Sequence, residues 1–478
     1  MIHHLYFTLF SCLIAFILGL VPKSKYGLFF IIFLIPFSGK SLSIGYFTSS
    51  FLTPTILAFS LGYFAKKGKI IFTNLYLVRY KANILLILVC HCISIFALIF
   101  NDVPRNVSFF GDDVFQAVIN YTSSIVAGII LYMLILFEVK AYEDLLFFLK
   151  TFIVTLFFLS LVVFFSSYMH VPLPNIIKPI SYTLVHYKTE ITSLQTDLTK
   201  QSNFAGFHGY MENFAEYLFI IFSFGFILID NKKRNNIVFG VFCIILTLIF
   251  SVFAAIKAYP FMIIYFIILY FILCKNSKMC LKVLLIMFLL IIGVISFNDF
   301  LKNTWFFSRI MELNSRYSST CNSNSIFERI VVFLGREDLI PMFPHIIAAG
   351  GLFGLGPFII VSLRNSVIPF HNLYYQIYLN YGLMGFIIFM CFFIRILVSL
   401  VKARAVANPK LFPIINGFIS LFIVLLLEQM KVSSFRLHSG IFTFWFLFGL
   451  FSSVVNLVDS VKYKNISREE NIFYITTN

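Results

Sequence analysis

Apolar segments of membrane-spanning length recur from one end of this chain to the other, and this feature constrains the fold more than any other. The hydrocarbon core of a bilayer is about 30 Å thick and requires roughly 20 apolar residues per spanning helix. Only 12% of the 478 residues are charged, whereas a soluble domain has about 25%. So few charges cannot cover a surface that faces water. The sequence therefore predicts an all-α polytopic membrane protein.

We predict about 12 or 13 transmembrane helices. The apolar segments lie at residues 5–21, 27–37, 46–65, 82–100, 117–137, 145–168, 214–229, 236–256, 258–274, 281–297, 373–400, 411–428 and 438–458. The second segment is short and ends in PFSGK, which leaves open whether it spans the membrane or only enters it. The N-terminus carries neither a basic region nor a small-residue cleavage site, so we expect no cleaved signal peptide.

Two long stretches between helices divide the chain into five regions. These are the N-terminal helices (1–168), a first long loop (169–213), the central helices (214–297), a second long loop (298–372), and the C-terminal helices with a tail (373–478). The other connections are short. In such a protein the helices form a scaffold, and we expect the chemistry where long loops meet it.

The formal net charge of +16 does not indicate a nucleic-acid partner, because the basic residues follow the positive-inside pattern of membrane proteins. Lysines and arginines cluster after the segments that end at residues 65, 229, 274 and 400, and they recur in the tail. Residues 101–116 hold three aspartates and one arginine. We predict that the clusters and the tail are cytoplasmic and that both long loops lie outside. The N-terminus then lies outside if 27–37 spans, and inside if it does not.

The sequence predicts neither a metal site nor a cofactor. Its eight cysteines include no CxxC pair, so neither a disulfide framework nor a zinc site is expected. Asp112 and Asp113 form the one candidate metal-binding pair, and a solvated acidic turn explains them better. No phosphate-binding loop of the Walker A type is present.

Arginines in the second long loop are candidates for binding phosphate. They include Arg316, Arg329 and Arg336. A guanidinium group is a planar fork of donors that matches phosphate oxygens. Local pairing with acidic neighbours explains any single arginine better, whereas the set beside a membrane helix also fits an anionic ligand. The stretch at 346–363 is long enough to span, but its glycines and proline predict a loop or re-entrant turn surrounded by protein.

The stretch HNLYYQIYLNYGLMG places His371 and Asn372 at the predicted start of a membrane helix. Asn is a favoured N-cap residue. Gly382 and Gly385, on the same predicted face as His371, would let another helix approach closely. A helix N-terminus favours phosphate and disfavours a protonated imidazole, so His371 is a candidate proton acceptor. A capping or interfacial histidine above an aromatic belt fits the pattern equally well.

Three patches together resemble the O-antigen ligase and polymerase superfamily. His371-Asn372, followed after nine residues by Gly382 and then Gly385, looks like the signature H-[NS]-x9-G-x-x-[GTY]. GREDLIPMFPHIIAAGGLFGLGPF is similar to a family stretch in which an arginine, here Arg336, precedes a Gly-x-Gly pair by 18 residues. FAGFHGYMENFAEYL, at 204–218, resembles a glycine–aromatic run at the start of a helix.

The resemblance implies a metal-independent, inverting glycosyltransferase of the GT-C-like membrane type, in the bacterial inner membrane with its long loops in the periplasm. It implies that His371 is the base that activates the acceptor hydroxyl and that Arg336 binds the donor diphosphate. The family usually has an arginine just before the glycine that matches Gly206, and this chain does not. The candidates for the second diphosphate ligand are Lys200, Arg329 and Arg316.

The implied partners are an undecaprenyl-diphosphate-linked oligosaccharide and membrane lipid, with a chain-length regulator as a further candidate. A polymerase transfers the glycan to another carrier-linked repeat unit, and a ligase transfers it to the lipid A core. The length of the chain and its two long loops favour the polymerase. A polysaccharide transporter or flippase remains an alternative, although we find neither the charged residues near the middle of spans nor the internal repeats that it predicts.

Overall fold

The computed structural model is a bundle of α-helices with a few short strands. It describes residues 2–39, 41–44, 47–74, 78–100, 105–106, 114–167, 211–230, 233–254, 258–274, 347, 350–356, 360–363, 366–367, 372–430, 433, 435 and 438–476. The α-helices in these residues are α1 (Ile2–Leu20), α2 (Lys25–Leu34), α3 (Leu52–Asn74), α4 (Lys81–Phe100), α5 (Val114–Glu138), α6 (Tyr142–Ser167), α7 (Met211–Asp230), α8 (Arg234–Ala254), α9 (Ala258–Leu273), α10 (Leu373–Val406), α11 (Phe412–Glu428) and α12 (His438–Thr476). The strands are β1 (Ser41–Ile44), β2 (Phe47–Ser50), β3 (Arg105–Asn106), β4 (Ile360–Leu363) and β5 (Ser366–Val367), and a 3₁₀ turn (Ile35–Gly39) extends α2.

The described chain is that of an all-α membrane protein, as predicted. Among the residues that the structure describes, four helical stretches are long and apolar enough to cross a membrane, namely Lys81–Leu98, Val118–Glu138, Leu373–Val406 and His438–Ser460. Shorter apolar helices of 10–17 residues accompany them. Most helix ends lie within a few residues of the predicted segments. The predicted segment at 281–297 lies outside the described residues.

Three of the predicted segments have the wrong bounds. The segment predicted at 373–400 ends too early, because α10 continues to Val406. The segment predicted at 46–65 begins too early, because Phe47–Ser50 is a strand that pairs with Ser41–Ile44 in an antiparallel hairpin. The helix itself starts at Leu52 and continues through the lysines to Asn74. The segment predicted at 438–458 ends too early, because α12 continues to Thr476. Apolar content locates a span, but a helix does not have to end where its apolar residues end.

The contacts of α2 resolve the alternative that the sequence leaves open for 27–37. Lys67 of α3 donates to Ser24 just before α2, and Ser50 just before α3 donates to Ser38 after α2. The segment from Ser24 to Ser38 therefore runs antiparallel to α3. Ten helical residues and a five-residue 3₁₀ turn give it a length of about 25 Å. It crosses the bundle, so the N-terminus lies at the end opposite Lys67.

Basic residues from many helices gather at one end of the bundle, which we call the basic end. The end of α3 meets the end of α5 there through Lys67 and Glu138, whose charged atoms are 2.8 Å apart. At the same end, Arg404 of α10 donates to Asn416 at 2.7 Å. The positive-inside rule predicts that this end is cytoplasmic. The other end, where α10 begins at Leu373, is called the cap end.

At the cap end, two loops join in a small sheet. Arg105 and Asn106, from the loop between α4 and α5, pair with Val361 and Ile360 of the second long loop. Strand β4 then pairs with β5 in a second antiparallel pairing. The sheet links the loop between α4 and α5 to the second long loop, which agrees with the expectation that both loops lie on the same side of the membrane.

The centre of the bundle is packed by aromatic side chains against small residues. Trp445 of α12 is fully buried and packs edge-to-face on Tyr132 of α5, with ring centroids 6.1 Å apart. A Cβ added to Gly128 would lie 2.2 Å from the Trp445 ring, so the glycine makes room for the indole. Lipid tails are as apolar as leucine, and close packing of this kind rather than the hydrophobic effect holds membrane helices together.

Candidate functional site

Asn372 occupies the N-cap position of α10, at the cap end of the bundle. Its backbone is extended, with φ −131° and ψ 119°, and its side-chain oxygen accepts from the N–H groups of Tyr374 at 2.9 Å and Tyr375 at 3.1 Å. Two of the helix's unpaired first N–H groups are thereby satisfied. The side-chain amide of the same residue donates to the carbonyl of Met430 at 2.7 Å.

The start of α10 is docked on the end of α11. The N–H of Leu373 donates to the carbonyl of Gln429 at 3.0 Å, and the hydroxyl of Tyr374 donates to the carbonyl of Leu426 at 2.6 Å. The last carbonyls of a helix have no partners within it, so donors from residues 372–374 satisfy them. This junction fixes the chain that immediately follows His371.

Helix α10 is interrupted at Gly382. The backbone there has φ 67° and ψ −170°, a conformation that only glycine adopts readily. The interruption leaves main-chain groups on both sides without helical partners. In the low dielectric of a membrane protein each such group would be costly, so another part of the chain must satisfy them.

A glycine-rich loop of residues 350–356, which we call the inserted loop, supplies those partners. Main-chain hydrogen bonds join it to both sides of the interruption. They run from Leu355 N to Leu379 O (2.7 Å), from Leu383 N to Gly351 O (3.0 Å) and from Met384 N to Leu352 O (3.2 Å). The prediction of a loop in the 346–363 stretch holds for residues 350–356. Protein surrounds only part of this loop, because Gly354, Leu355 and Gly356 are buried whereas Leu352 and Phe353 are exposed.

The backbones of the inserted loop and of α10 touch at two glycines. A Cβ added to Gly354 would lie 2.6 Å from the nitrogen of Gly382, and a Cβ on Gly382 would lie 2.3 Å from the carbonyl oxygen of Leu352. The expectation that Gly382 admits another helix is therefore wrong, because the groups left open by the interruption require main-chain partners from a loop. Gly385 does face a helix, with Cys90 of α4 3.9 Å from the position of its Cβ.

A buried polar cluster lies directly behind the interruption. His91 of α4 is 2% exposed. Its Nδ1 lies 3.1 Å from the hydroxyl of Tyr381, and its Nε2 lies 2.8 Å from the hydroxyl of Thr122. The hydroxyl of Ser94, one turn further along α4, donates to the carbonyl of Asn380. Side chains of α4 and α5 thus support the last turn before Gly382.

Further buried polar contacts connect the first turns of α10 with its neighbours. Gln376 accepts from the hydroxyl of Ser433 and donates to the carbonyl of Phe435 at 3.4 Å. The amide of Gln429 donates to the carboxyl of Glu216 on α7. Sequence analysis missed His91 and Glu216, although each is an ionisable residue within an apolar segment, which is a known signal for function in membrane proteins.

The predicted site residues fall into two groups. Asn372, Gly382 and Gly385 are described and lie along one helix. The others lie outside the described residues, and they are His371, Arg336, Arg329, Arg316 and Lys200. In the part of the chain that the structure describes, no group of three or more His, Cys, Asp or Glu is arranged to hold a metal ion.

The arrangement is a membrane helix whose capped start and whose interruption at its tenth residue are both fixed by main-chain contacts to other segments. The inserted loop belongs to the second long loop and the cap follows its end, so the loop that carries the predicted arginines and His371 in sequence is attached to α10 at two places. Comparison of the chain with protein-family models and with curated proteins finds no match.

Proposed function

We propose that this protein is an O-antigen polymerase. It transfers glycan from undecaprenyl diphosphate to a carrier-linked repeat unit at the periplasmic face of the bacterial inner membrane. The reaction is an inverting, metal-independent glycosyl transfer. The proposal joins the family resemblance of the sequence to the geometry at the cap end of the bundle.

One observation carries the proposal, namely the contact between the inserted loop and the interruption in α10. The Gly354–Gly356 pair belongs to one patch of the resemblance, and Gly382 belongs to another. Gly354 and Gly382 are 28 residues apart in sequence, yet they touch through their backbones. Two motifs that contribute to the same site are expected to form one structural unit, whereas two independent loops would not have to be in contact.

The chain attached to this unit carries the residues proposed for the chemistry. His371 immediately precedes Asn372, and Arg336 precedes Gly350 by 14 residues. In the proposed reaction His371 takes the proton from the acceptor hydroxyl as its oxygen bonds to the anomeric carbon of the donor sugar. The bond from that carbon to the diphosphate oxygen breaks with inversion, and Arg336 stabilises the charge that develops on the leaving group.

A second phosphate ligand is required by the same reasoning, and the candidates remain Lys200, Arg329 and Arg316. Each supplies positive charge, but only an arginine provides a bidentate fork. The helix dipole at the start of α10 adds a further preference for an anion near the cap.

A secondary transporter is a second candidate because interrupted helices also form transporter sites. The observation that favours it is the interruption at Gly382, together with His91 buried behind it. A transporter would have to change the contacts of the interrupted helix during its cycle. The main-chain bonds between the inserted loop and α10 favour a fixed structure instead.

Deletion of the gene, followed by complementation, tests the proposal. If the protein polymerises, the deletion strain makes lipid A core that carries a single repeat unit. Bare core with carrier-linked polymer indicates a ligase, and bare core without any periplasmic carrier-linked glycan indicates a transporter. Either of the last two patterns overturns the polymerase.

Variants then test the roles of the residues. We expect His371→Ala and Arg336→Ala to reproduce the deletion pattern at normal protein levels. Lys410→Ala, which removes an exposed charge at the basic end, is the matched control. It should restore the full ladder of polymerised glycan on lipopolysaccharide gels. A full ladder from His371→Ala would exclude it as the base.

A further inference from the structure

Glu216 stands apart from the other charged residues of the described chain. Among the described side chains it is the one Asp, Glu, Lys or Arg that is buried, with 6% of its surface exposed. It lies in the second turn of α7, at the cap end. Burial of a carboxyl group in an apolar bundle is costly unless other groups bind it, and such residues are usually retained for a function.

The carboxyl group is connected to the start of α10 through one residue. Glu216 Oε1 accepts from the side-chain amide of Gln429, and the main-chain carbonyl of Gln429 accepts from the N–H of Leu373 at 3.0 Å. Gln429 is itself fully buried and is the C-cap residue of α11. The connection therefore runs from α7 through the end of α11 to the residue that follows the cap.

The connection fixes the rotation of the Gln429 side chain. The NH₂ group of Gln429 donates to Glu216 Oε1, and a carboxyl oxygen is a hydrogen-bond acceptor, so this contact keeps the NH₂ group turned toward Glu216. Together with the donation from Asn372 to Met430 O at 2.7 Å, this holds the last residues of α11 in the register that receives α10. Loss of the carboxyl group would remove this contact and loosen the junction.

We propose that Glu216 is a positioning residue that acts through Gln429 to hold the first turn of α10, and hence the chain at His371, in place for reaction. Its effect on catalysis depends on the proposed glycosyl transfer. The mechanical part, namely that Glu216 controls the position of the chain at residue 371, holds for any reaction at the cap end and is tested separately.

A swap of the two side chains tests the contact. In Gln429→Glu two carboxyl groups face each other, and we expect kcat for glycan transfer by the purified protein to fall about tenfold or more, because small displacements of a catalytic group have large effects on rate. KM should stay within about threefold. The double variant Glu216→Gln with Gln429→Glu restores a donor–acceptor pair and should recover kcat to within about threefold of the wild type. No recovery in the double variant would overturn the proposal.

A reporter that does not depend on activity tests the positioning. His371→Cys is made in a background with the native cysteines replaced by serine, and the rate of its reaction with a membrane-impermeant maleimide is measured. Adding Glu216→Ala should change this rate at least about threefold, because the chain at residue 371 gains freedom. The control Ser223→Ala removes a fully buried hydroxyl from the same helix, which bonds to its own backbone at Phe219, and should leave the rate unchanged.

The two experiments separate the claims. An altered maleimide rate, when the wild-type protein has no transferase activity, supports positioning by Glu216 and rejects the proposed function. An unchanged maleimide rate with Glu216→Ala rejects positioning, whatever the activity of the protein.

Discussion

The two ends of the bundle use polar groups in different ways. At the basic end, charged side chains from different helices bind one another across short distances, as Lys67 and Glu138 do at 2.8 Å. At the cap end, main-chain groups of the inserted loop complete a helix that is interrupted at Gly382. At the basic end the helices are joined by side chains that can be replaced. At the cap end the segments are joined through a backbone conformation that few sequences can adopt.

This difference has a mechanical consequence. An ion pair near water can break and re-form in water at little cost. A main-chain group withdrawn from its partner inside a membrane has no such substitute, and each one costs several kcal/mol. The inserted loop and α10 should therefore move as one body, while the helices at the basic end can shift against each other. A fixed cap end is what a positioned catalytic residue requires.

The largest expected effect comes from adding one methyl group at the interruption. Gly382→Ala forces a residue with Cβ into φ 67° and places that Cβ 2.3 Å from the carbonyl oxygen of Leu352. We expect the free energy of unfolding to fall by about 3 kcal/mol or more and activity to be lost. Gly68→Ala, where nothing lies within 4 Å, is the control and should be neutral or slightly stabilising. Thermal unfolding in detergent measures both.

A third variant separates strain from crowding at the same place. Gly351 has φ 52°, but nothing lies within 4 Å of the position of its Cβ. Gly351→Ala should therefore cost only about 1–2 kcal/mol. If Gly382→Ala proves as mild as Gly351→Ala, the close contact of the two backbones is not what makes the cap end rigid.

The next effect in size concerns the cap. Asn372→Ala removes the acceptor for two N–H groups and the donor to Met430 O, and we expect a loss of about 2 kcal/mol of unfolding free energy. Asn372→Asp keeps the acceptor and loses only the donor, so its loss should be smaller. Asn408, which accepts from Lys410 N at 3.0 Å at the exposed basic end, provides the control. Equal losses for Asn372→Ala and Asn408→Ala would contradict the comparison of the two ends.

A smaller effect is expected from the best-connected ion pair. Lys67 also donates to Ser24 at 2.6 Å, and Glu138 also accepts from Tyr63 at 2.7 Å. Lys67→Met should lower the unfolding free energy by about 1 kcal/mol, because the side chains are partly exposed and water replaces the lost partner. The neighbouring exposed residue Lys66 gives the control, Lys66→Met. A double-mutant cycle with Glu138→Gln measures the coupling, and activity should be retained throughout.

Much of the scaffold could be predicted from the sequence, because apolar residues in runs of spanning length determine where the helices lie. The cap could also be predicted, since Asn372 is a favoured N-cap residue that begins an apolar segment. The hairpin before α3 was missed because the predicted segment ran across the polar residues Thr48, Ser49 and Ser50, which belong to β2. Composition alone does not distinguish a strand from a helix at that position.

The inserted loop explains why the rest of the site could not be predicted. Gly382 and Gly385 are both glycines and lie three positions apart, yet Gly382 interrupts the helix whereas Gly385 faces α4. The difference depends on the loop at Gly350–Gly356, whose partner on α10 no local pattern identifies. For Glu216 and His91 the signal was present, but the residues that they bind come from other helices.

The smallest effect should come from the ion pair between Lys25 and Asp144. It tests whether the side-chain contacts at the basic end are replaceable. The charged atoms are 3.4 Å apart, and 37% of the lysine side chain is exposed. We expect Lys25→Met to change the unfolding free energy by less than about 0.5 kcal/mol, and we expect that change to disappear at about 1 M salt, where the Debye length is about 3 Å. The loss from Asn372→Ala should persist at the same salt concentration, because its hydrogen bonds are buried and uncharged. If salt removes both effects, electrostatic screening reaches the cap end, and the contrast between a replaceable end and a fixed end fails.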